Sequence, residues 1–195
     1  MTKLLIISIA AAFLISCGQN QRNQYSDNNG SIVIDTVGNS IAEKNMKSQL
    51  KEYLVALNTG DPEKAIFYLY PDIFEYMKQQ YPDEEVNMQE IKDSLFIEPI
   101  RKIKKLVKEK KIKYEYEVGE ITNRVNYHES KLYVVITYIN GKIGLDKHSY
   151  GGEVVAISTD NGENWKFVQN DPESISEILK LKFPQNIIDI LLRKE

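Results

Sequence analysis

The sequence predicts an α+β fold in which N-terminal helices pack on a curved antiparallel meander sheet, a cone-shaped roll, and two observations support this. Apolar residues recur every three or four positions from Met46 to Tyr81, which is typical of amphipathic helices. From Lys113 onward they alternate with polar residues, which is typical of strands with one face in water. Helical spacing then returns, which predicts a C-terminal helical extension at 172–195.

Three helices are expected at the start of the domain. The first ends at Gly60, because glycine accepts the left-handed backbone conformation that closes a helix. Asp61 and Pro62 then begin the second helix as N-cap and first helical residue. Pro71 interrupts it, since the residue before a proline is pushed away from helical angles. The side chains expected to be buried are Met46, Leu50, Tyr53, Leu54, Leu57, Ala65, Ile66, Leu69, Tyr70, Ile73, Phe74, Met77 and Tyr81.

A longer helix is predicted from Asn87, as N-cap, to about Lys110, with a bend at Pro99. Its expected buried stripe consists of Ile91, Leu95, Ile100, Ile103 and Leu106 or Val107. Its far end belongs to a basic stretch, 101–113, which contains eight Lys and Arg residues. One interpretation of that stretch is a solvated helix end, where the helix dipole stabilises positive charge. The other is a contact for anionic lipid headgroups or lipopolysaccharide phosphates.

The sheet is expected to be a meander of four to six strands, with a bend at Gly119 and a turn at His128. The strand over 131–139 is apolar on both faces and is therefore expected to be central, and Asn140-Gly141 is expected to end it. The predicted strand segments are 113–118, 121–127, 131–139, 150–158 and 165–169.

After the sheet, Asp171 and Pro172 repeat the cap-and-proline start of a helix. The apolar stripes that follow must cover either the open side of the sheet or a partner. They consist of Ile175, Ile178, Leu179 and Leu181, and then Ile187, Ile188, Leu191 and Leu192.

Residues 1–16 predict a secretory signal peptide. Their apolar run of about 12 residues is shorter than the roughly 20 that a membrane-spanning helix needs. Leu14-Ile15-Ser16-Cys17 resembles the lipobox of bacterial lipoproteins. The resemblance implies cleavage before Cys17, lipid attachment to its sulfur and stable anchoring to a membrane. The alternative is an ordinary signal peptide that carries a cysteine by chance.

Residues 17–44 are polar and are expected to form a flexible tether before the single domain, 45–195. The one apolar patch of this tether, 31–37, is a candidate for a short strand that docks on the domain. Within that patch Asp35-Thr36-Val37 resembles an O-glycosylation motif of Bacteroides-type bacteria. Because Gly18 is not an acidic retention signal, the resemblance to lipoproteins implies the outer membrane. Because no acidic cluster follows to indicate surface export, it favours the periplasmic face.

Ser158-Thr-Asp-Asn-Gly-Glu-Asn-Trp165 resembles the Asp-box hairpin of sialidase propellers. It occurs once, so no propeller is implied. Asp160 is expected to bond its own loop backbone, Gly162 to take a positive φ, and Trp165 to pack beneath the turn. A structural role is therefore expected.

The helical opening with "ALNTGDPEKAIFYL" (Ala56 to Leu69), followed by the bent meander with its late tryptophan, resembles nuclear transport factor 2, ketosteroid isomerase and the polyketide cyclases. The resemblance covers roughly residues 45–170 and implies a cone-shaped domain with a binding cavity. Because that family contains isomerases, dehydratases, cyclases and non-catalytic binders, it does not fix a function.

Tyrosines lining a concave sheet could hold a flat or sugar-like ligand, because they combine ring stacking with phenol hydrogen bonds. Ordinary core packing is the alternative. The candidates are Tyr53, Tyr68, Tyr114, Tyr116 and Tyr133, with Tyr138 nearby. Asp146 and His148 share a strand face, and a His–Asp pair can act as a general base. Their polar, glycine-rich surroundings indicate a solvated hairpin instead.

Two histidines and one cysteine exclude the common zinc-site patterns, and no cofactor motif is present. The net charge of −3 is too small to imply a charged polymer, and we expect no nucleic-acid partner. The sequence therefore favours a lipid-anchored envelope protein that binds a small molecule, a peptide or another envelope protein without catalysis. The alternatives are an isomerase- or dehydratase-type enzyme that uses a tyrosine and one acid, and a subunit that docks on a partner. The oligomeric state is left open.

Overall fold

A computed structural model describes residues 25–27, 30–32, 41–80, 87–110, 113–143, 146–171 and 174–192. Within them, helices precede and follow a four-stranded antiparallel meander with strand order β3-β4-β5-β6, which confirms the α+β class. The helices are α1 (Ile41–Thr59), α2 (Pro62–Tyr68), α3 (Asp72–Gln80), α4 (Met88–Lys92), a π-helical segment (Asp93–Ile97), α5 (Glu98–Lys110), α6 (Ile175–Lys180) and α7 (Gln185–Leu191). The strands are β1 (Tyr25–Asp27), β2 (Gly30–Ile32), β3 (Lys113–Tyr127), β4 (Ser130–Ile143), β5 (Asp146–Ser158) and β6 (Lys166–Gln169).

The turn between α1 and α2 has the predicted geometry. Gly60 has φ +69°, and the Asp61 N–H donates to the Ala56 carbonyl at 3.0 Å, which closes α1 with a glycine cap. The Asp61 carboxylate then accepts from the Lys64 N–H at 3.1 Å, and Pro62 is the first residue of α2. One glycine and one aspartate therefore set the path of the chain between these two helices.

The segment 17–44, expected to be a tether, contains three elements. β1 and β2 form a short antiparallel hairpin, and α1 begins at Ile41. Ala42 and Glu43 are buried, so the ordered domain starts earlier than the apolar pattern predicted. The signal peptide 1–16, Cys17 and Asp35-Thr36-Val37 lie outside the described residues.

The interruption at Pro71 is also a contact with the sheet. Leu69 forms a parallel bridge with Phe167, and the Tyr70 N–H donates to the Phe167 carbonyl at 2.9 Å. The next helix, α3, has no fully buried side chain, although Ile73 packs against the core. Tyr81, predicted to be buried, lies outside the described residues.

The long predicted helix is divided by a π-helical segment that ends two residues before Pro99. Proline has no N–H to donate to the carbonyl four residues earlier, and its ring clashes with that carbonyl. A wider π-helical turn relieves the missing hydrogen bond and the clash. Asn87 caps this helix as predicted, accepting from the Gln89 N–H at 2.9 Å. The prediction that Leu95 is buried is wrong, since it is 52% exposed. The π turn changes the residue spacing on which the predicted stripe depends.

The meander is joined at its first corner by a two-residue turn in which His128 has φ 52°, as the sequence predicts for a turn there. The predicted end of the next strand at Asn140-Gly141 is wrong, because β4 continues to Ile143. Gly141 pairs with Tyr114 on one side and His148 on the other, so this Asn-Gly pair lies in the ladder of a central strand.

The two faces of the sheet belong to two different apolar clusters, because side chains alternate along each strand. One, which we name the α1-side cluster, joins α1 to inward-facing residues of all four strands. It contains Ala42, Met46, Leu50, Leu54, Tyr68, Ile121, Tyr133, Val135, Val154, Ala156, Trp165 and Phe167. The other, the tail-side cluster, contains Tyr70, Val125, Leu132, Val134, Val155, Ile157, Val168, Ile175, Ile178, Leu179, Phe183, Ile187, Ile188 and Leu191. The central strand is buried on both faces, as its sequence predicts.

The C-terminal helices resolve one alternative that the sequence left open. Their apolar stripes are buried against the sheet within the chain itself, and a hydrogen bond of 2.8 Å from the Asn123 amide to the Leu191 carbonyl ties the end of α7 to β3. Leu181, predicted to be buried, is 38% exposed because it lies just after α6 ends.

Candidate functional site

Four of the five tyrosines proposed as ligand-binding residues meet at the α1-side cluster. Tyr68 and Tyr133 are buried within it, and Tyr53 and Tyr116 are partly buried against it. Tyr114 lies on β3, but its side chain is outside the described residues. Among these four, Tyr116 also lines a cleft, so it is the one that the geometry places beside open space.

Ring contacts fix two of these tyrosines in the core. Tyr53 stacks on Phe167 with ring centroids 5.6 Å apart, and Tyr133 packs against Trp165 at 4.9 Å. Burial raises the pKa of Tyr53 to about 12, because the phenolate would lose its hydration there. Both rings therefore contribute packing at this position, and the Tyr53 phenol stays protonated at neutral pH.

A tyrosine and a carboxylate do meet, at the outer edge of this cluster. The Tyr68 hydroxyl donates to Glu52 Oε2 at 2.9 Å, and Lys64 Nζ lies 2.9 Å from the same oxygen. Burial and this hydrogen bond raise the pKa of Tyr68 to about 12, while the bonds from Lys64 and Tyr68 lower the pKa of Glu52. Glu52 is therefore an ionised, ion-paired carboxylate rather than one poised to exchange protons near pH 7.

A cleft of about 410 Å³ lies where the end of α1, the middle of α5 and the start of β3 meet; we name it the α1–α5 cleft. It is lined by Val55, Asn58, Thr59, Lys104, Val107, Lys108 and Tyr116. This volume falls within the roughly 300–1,000 Å³ of small-molecule sites in proteins. The lining mixes aliphatic and aromatic side chains with two ammonium groups.

The two polar side chains that α1 contributes each donate one hydrogen bond to the backbone of their own helix. Asn58 donates to the Leu54 carbonyl at 2.6 Å, and the Thr59 hydroxyl donates to the Val55 carbonyl at 2.9 Å. Both bonds reach back four residues along α1 and leave the two side-chain oxygens as acceptors, while the Asn58 amide keeps a second N–H. The positively charged donors of this cleft are the two lysine ammonium groups.

A second cleft, of about 440 Å³, adjoins the first and shares Thr59 and Lys104 with it. Its other lining residues are Gly60, Asp61, Pro62, Glu63 and Arg101. The two clefts meet where α5 approaches the turn after α1, and a Cβ added to Gly60 would lie only 2.2 Å from Lys104 Cβ. The missing side chain of Gly60 thus lets the stem of Lys104 lie between the clefts.

The Asp-box-like loop has the geometry of a structural turn. The Ser158 hydroxyl donates to Asp160 at 2.7 Å, Gly162 has φ +92°, and the Trp165 indole N–H donates to the Gly162 carbonyl at 3.0 Å. Burial raises the pKa of Asp160, but hydrogen bonds from the Asn164 backbone and side chain and from Ser158 outweigh this and leave it below its usual value. All of these bonds lie within the turn.

The same loop is also tied to α1. Gln49 donates to the Glu163 carbonyl at 2.8 Å and accepts from the Trp165 N–H at 2.9 Å, and Asn45 donates to the Gly162 carbonyl at 3.2 Å. These long-range bonds fix the loop on the helix. Its polar groups therefore serve to join α1 to the sheet.

Of the two histidines, the structure describes the side chain of His128 alone. His128 lies in the turn between β3 and β4, and its ring contacts Tyr127 at 4.3 Å. The side chains of Asp146 and His148 lie outside the described residues.

Within the described part of the chain, no three His, Cys, Asp or Glu side chains are placed to hold a metal ion. A search of the same residues reveals no helix with the length and apolarity of a membrane span.

Comparison of the chain with protein-family models, with curated proteins and with solved structures finds no match. Functional inference therefore depends on the site itself. The sequence identified Lys104 and Lys108 only as members of a basic stretch and missed Val55, Asn58 and Thr59 altogether. For Lys104 and Lys108 a signal was available, because Lys104 lies three residues before Val107 and four before Lys108, so both lysines share one face of the helix with this apolar residue.

Proposed function

We propose that this protein is a lipid-anchored component of a bacterial cell envelope that binds a small molecule, without catalysis, in the α1–α5 cleft. The observation that carries the binding part is the cleft itself, with its apolar lining and its two lysines. The lipobox-like Leu14-Ile15-Ser16-Cys17 supports the anchor. The absence of an acidic residue at position 18 supports the outer membrane, and the absence of an acidic cluster after Cys17 supports its periplasmic side.

We also propose that the domain is a cone-shaped roll of the nuclear-transport-factor-2-like kind. The four-stranded antiparallel meander supports this, as does the opening in which Gly60 and Asp61 join two helices. The cluster that α1 shares with the sheet is consistent with a helix that closes one side of such a roll. The α1–α5 cleft would then lie at the mouth of the roll.

The enzyme alternative needs an acid in an enclosed apolar cavity beside a tyrosine. The described Tyr–acid pairs are Tyr70 with Asp72, joined at 2.6 Å, and Tyr68 with Glu52, and neither pair lines the two clefts. Glu52 is half-exposed and paired with Lys64. Salt-bridged carboxylates of this kind are held in the charged form and are poor general acids at neutral pH. Binding without catalysis is therefore the function we propose.

The anchor is tested by metabolic labelling. We expect the full-length chain, expressed in a bacterium supplied with an alkyne-bearing fatty acid, to incorporate the label and to fractionate with membranes. Cys17→Ser should abolish both, because it removes the sulfur that would carry the diacylglycerol. Labelling of the Cys17→Ser chain, or release of the wild-type chain in soluble form, would contradict the proposed anchor.

Ligand binding is tested by native mass spectrometry of the full-length Cys17→Ser chain, purified without detergent and then exposed to an extract of envelope small molecules. We expect a discrete mass to be retained by this chain and lost when Val55→Trp is added. Val55 lines the cleft and is 42% exposed, so tryptophan fills the space without disturbing the core. Ile41→Trp is the matched control, since Ile41 lies on the same helix but outside the cleft. Retention of the same ligand by both variants would place the binding site elsewhere.

A further inference from the structure

We infer that the ligand of the α1–α5 cleft is an amphipathic anion: a molecule with an apolar chain or ring and one carboxylate or phosphate head. This inference rests on the proposed binding function and adds the chemical class of the ligand. It follows from which charges on α5 are paired, which are not, and what lies beside them.

The four lysines of α5 whose side chains are described divide into two sets, while Arg101 lines the adjoining cleft. Lys102 and Lys105 form ion pairs with Glu98 and Glu109 on their own helix, each with N···O distances of 3.9 Å. Lys104 and Lys108 have no carboxylate within ion-pair distance among the described residues, although both are exposed. The unpaired lysines are the two that line the cleft.

The spacing explains why these two act together. Lys104 and Lys108 are four residues apart on one helix, so their stems lie on the same face about one turn from each other. The seven residues that line the α1–α5 cleft include no acid. Asp61 and Glu63 line the adjoining cleft, which shares Lys104, but neither forms an ion pair with Lys104. An anionic head between them would accept charge-assisted hydrogen bonds from both.

The rest of the lining fits an apolar tail. Val55, Val107 and Tyr116 come from three different elements and line the same space. Burying a chain or ring against them is favourable in proportion to the apolar area removed from water. A purely polar anion, such as inorganic phosphate, would use the lysines alone and leave this surface in contact with water.

The test measures binding of four probes with the same ten-carbon chain to the full-length Cys17→Ser protein by titration calorimetry, below the concentrations at which they form micelles. We expect decanoate to bind at least tenfold more tightly than decanol and decylammonium not to bind. Monodecyl phosphate should bind as decanoate does, whereas inorganic phosphate should not compete. Raising the salt concentration from 50 to 500 mM should weaken decanoate binding several-fold, about as expected for exposed charges.

Variants then locate the head group. Lys104→Gln and Lys108→Gln should each weaken decanoate about three- to tenfold and leave decanol unchanged. Glutamine at position 104 keeps the Cβ, Cγ and Cδ atoms that lie beside Gly60, so the packing between α5 and this glycine is retained. Lys102→Gln and Lys105→Gln, with the same charge change on the same helix, are the matched controls and should change decanoate binding less than twofold.

The outcomes separate the two proposals. Equal binding of decanol and decanoate would overturn the anionic head while leaving small-molecule binding intact. Equal loss in all four lysine variants would show a general charge effect and would also overturn it. If no probe binds the wild-type chain, and native mass spectrometry also retains no ligand, both the inference and the proposed binding function fail.

Discussion

Deletion of residues 171–195 is expected to leave a chain without a cooperative unfolding transition. Six side chains of α6 and α7 are almost completely buried against the sheet, and their loss would expose the whole tail-side face to water. Replacing one buried Leu or Ile by Ala typically costs about 2–5 kcal/mol, whereas a domain is stable by only about 5–15 kcal/mol. Urea titration followed by near-ultraviolet circular dichroism would show the loss as a missing transition.

Point variants keep this prediction testable if the truncated chain cannot be purified. Leu179→Ala, at a position with no exposed surface, should lower the free energy of unfolding by about 2–5 kcal/mol. Leu181→Ala, two residues later and 38% exposed, should change it by no more than about 0.5 kcal/mol. A truncated chain that still unfolds cooperatively, or equal effects of the two variants, would show that the C-terminal helices are not part of the core.

The burial of these helices also bears on the hypothesis that the protein docks on a partner through its apolar stripes. A stripe that is already covered by the sheet of its own chain cannot serve as an interface without unfolding that layer. On α5, by contrast, Arg101, Lys104 and Lys108 are exposed and line clefts. Recognition of another molecule is therefore better supported on the α5 side of the domain than at its C-terminus.

The parts of the fold that were predictable are those set by neighbouring residues. The end of α1 at Gly60 and the start of α2 at Asp61 depend on glycine accepting positive φ and aspartate capping free N–H groups. The central strand was recognisable because both of its faces are apolar. The α+β class followed from the change in hydrophobic period at Lys113.

The parts that were not predictable depend on contacts between distant segments. Whether the C-terminal stripes cover the sheet or a partner is a question of tertiary packing, which periodicity does not contain. The α1–α5 cleft exists because Val55, Lys104 and Tyr116, from three separate elements, line one space. The exposure of Leu95 follows from a π turn, whose changed spacing a strict helical period does not anticipate.

Gly162→Ala is expected to destabilise the protein by about 2–6 kcal/mol, although it adds one methyl group to a loop. Gly162 has φ +92°, a conformation that costs other residues about 1–3 kcal/mol. The new Cβ would also lie 2.3 Å from Ala42 Cβ and 3.1 Å from its Cα, and such overpacking costs about 1–3 kcal/mol more. The loop or α1 would have to move, which would strain the bonds from Asn45 and Gln49. Urea denaturation gives the change in unfolding free energy.

Gly152→Ala supplies the comparison, because a Cβ there meets nothing within 4 Å and φ lies outside the left-handed region. Alanine should leave stability unchanged within about 0.5 kcal/mol or raise it slightly, since it restricts the unfolded chain.

Combining Gly162→Ala with Ala42→Gly separates the two costs: removing the Ala42 methyl relieves the clash but not the backbone strain. The double variant should therefore be less destabilised than the sum of the single changes by at least about 0.5 kcal/mol. Strict additivity, or a Gly162→Ala chain as stable as Gly152→Ala, would show that this close approach does not hold the loop against α1.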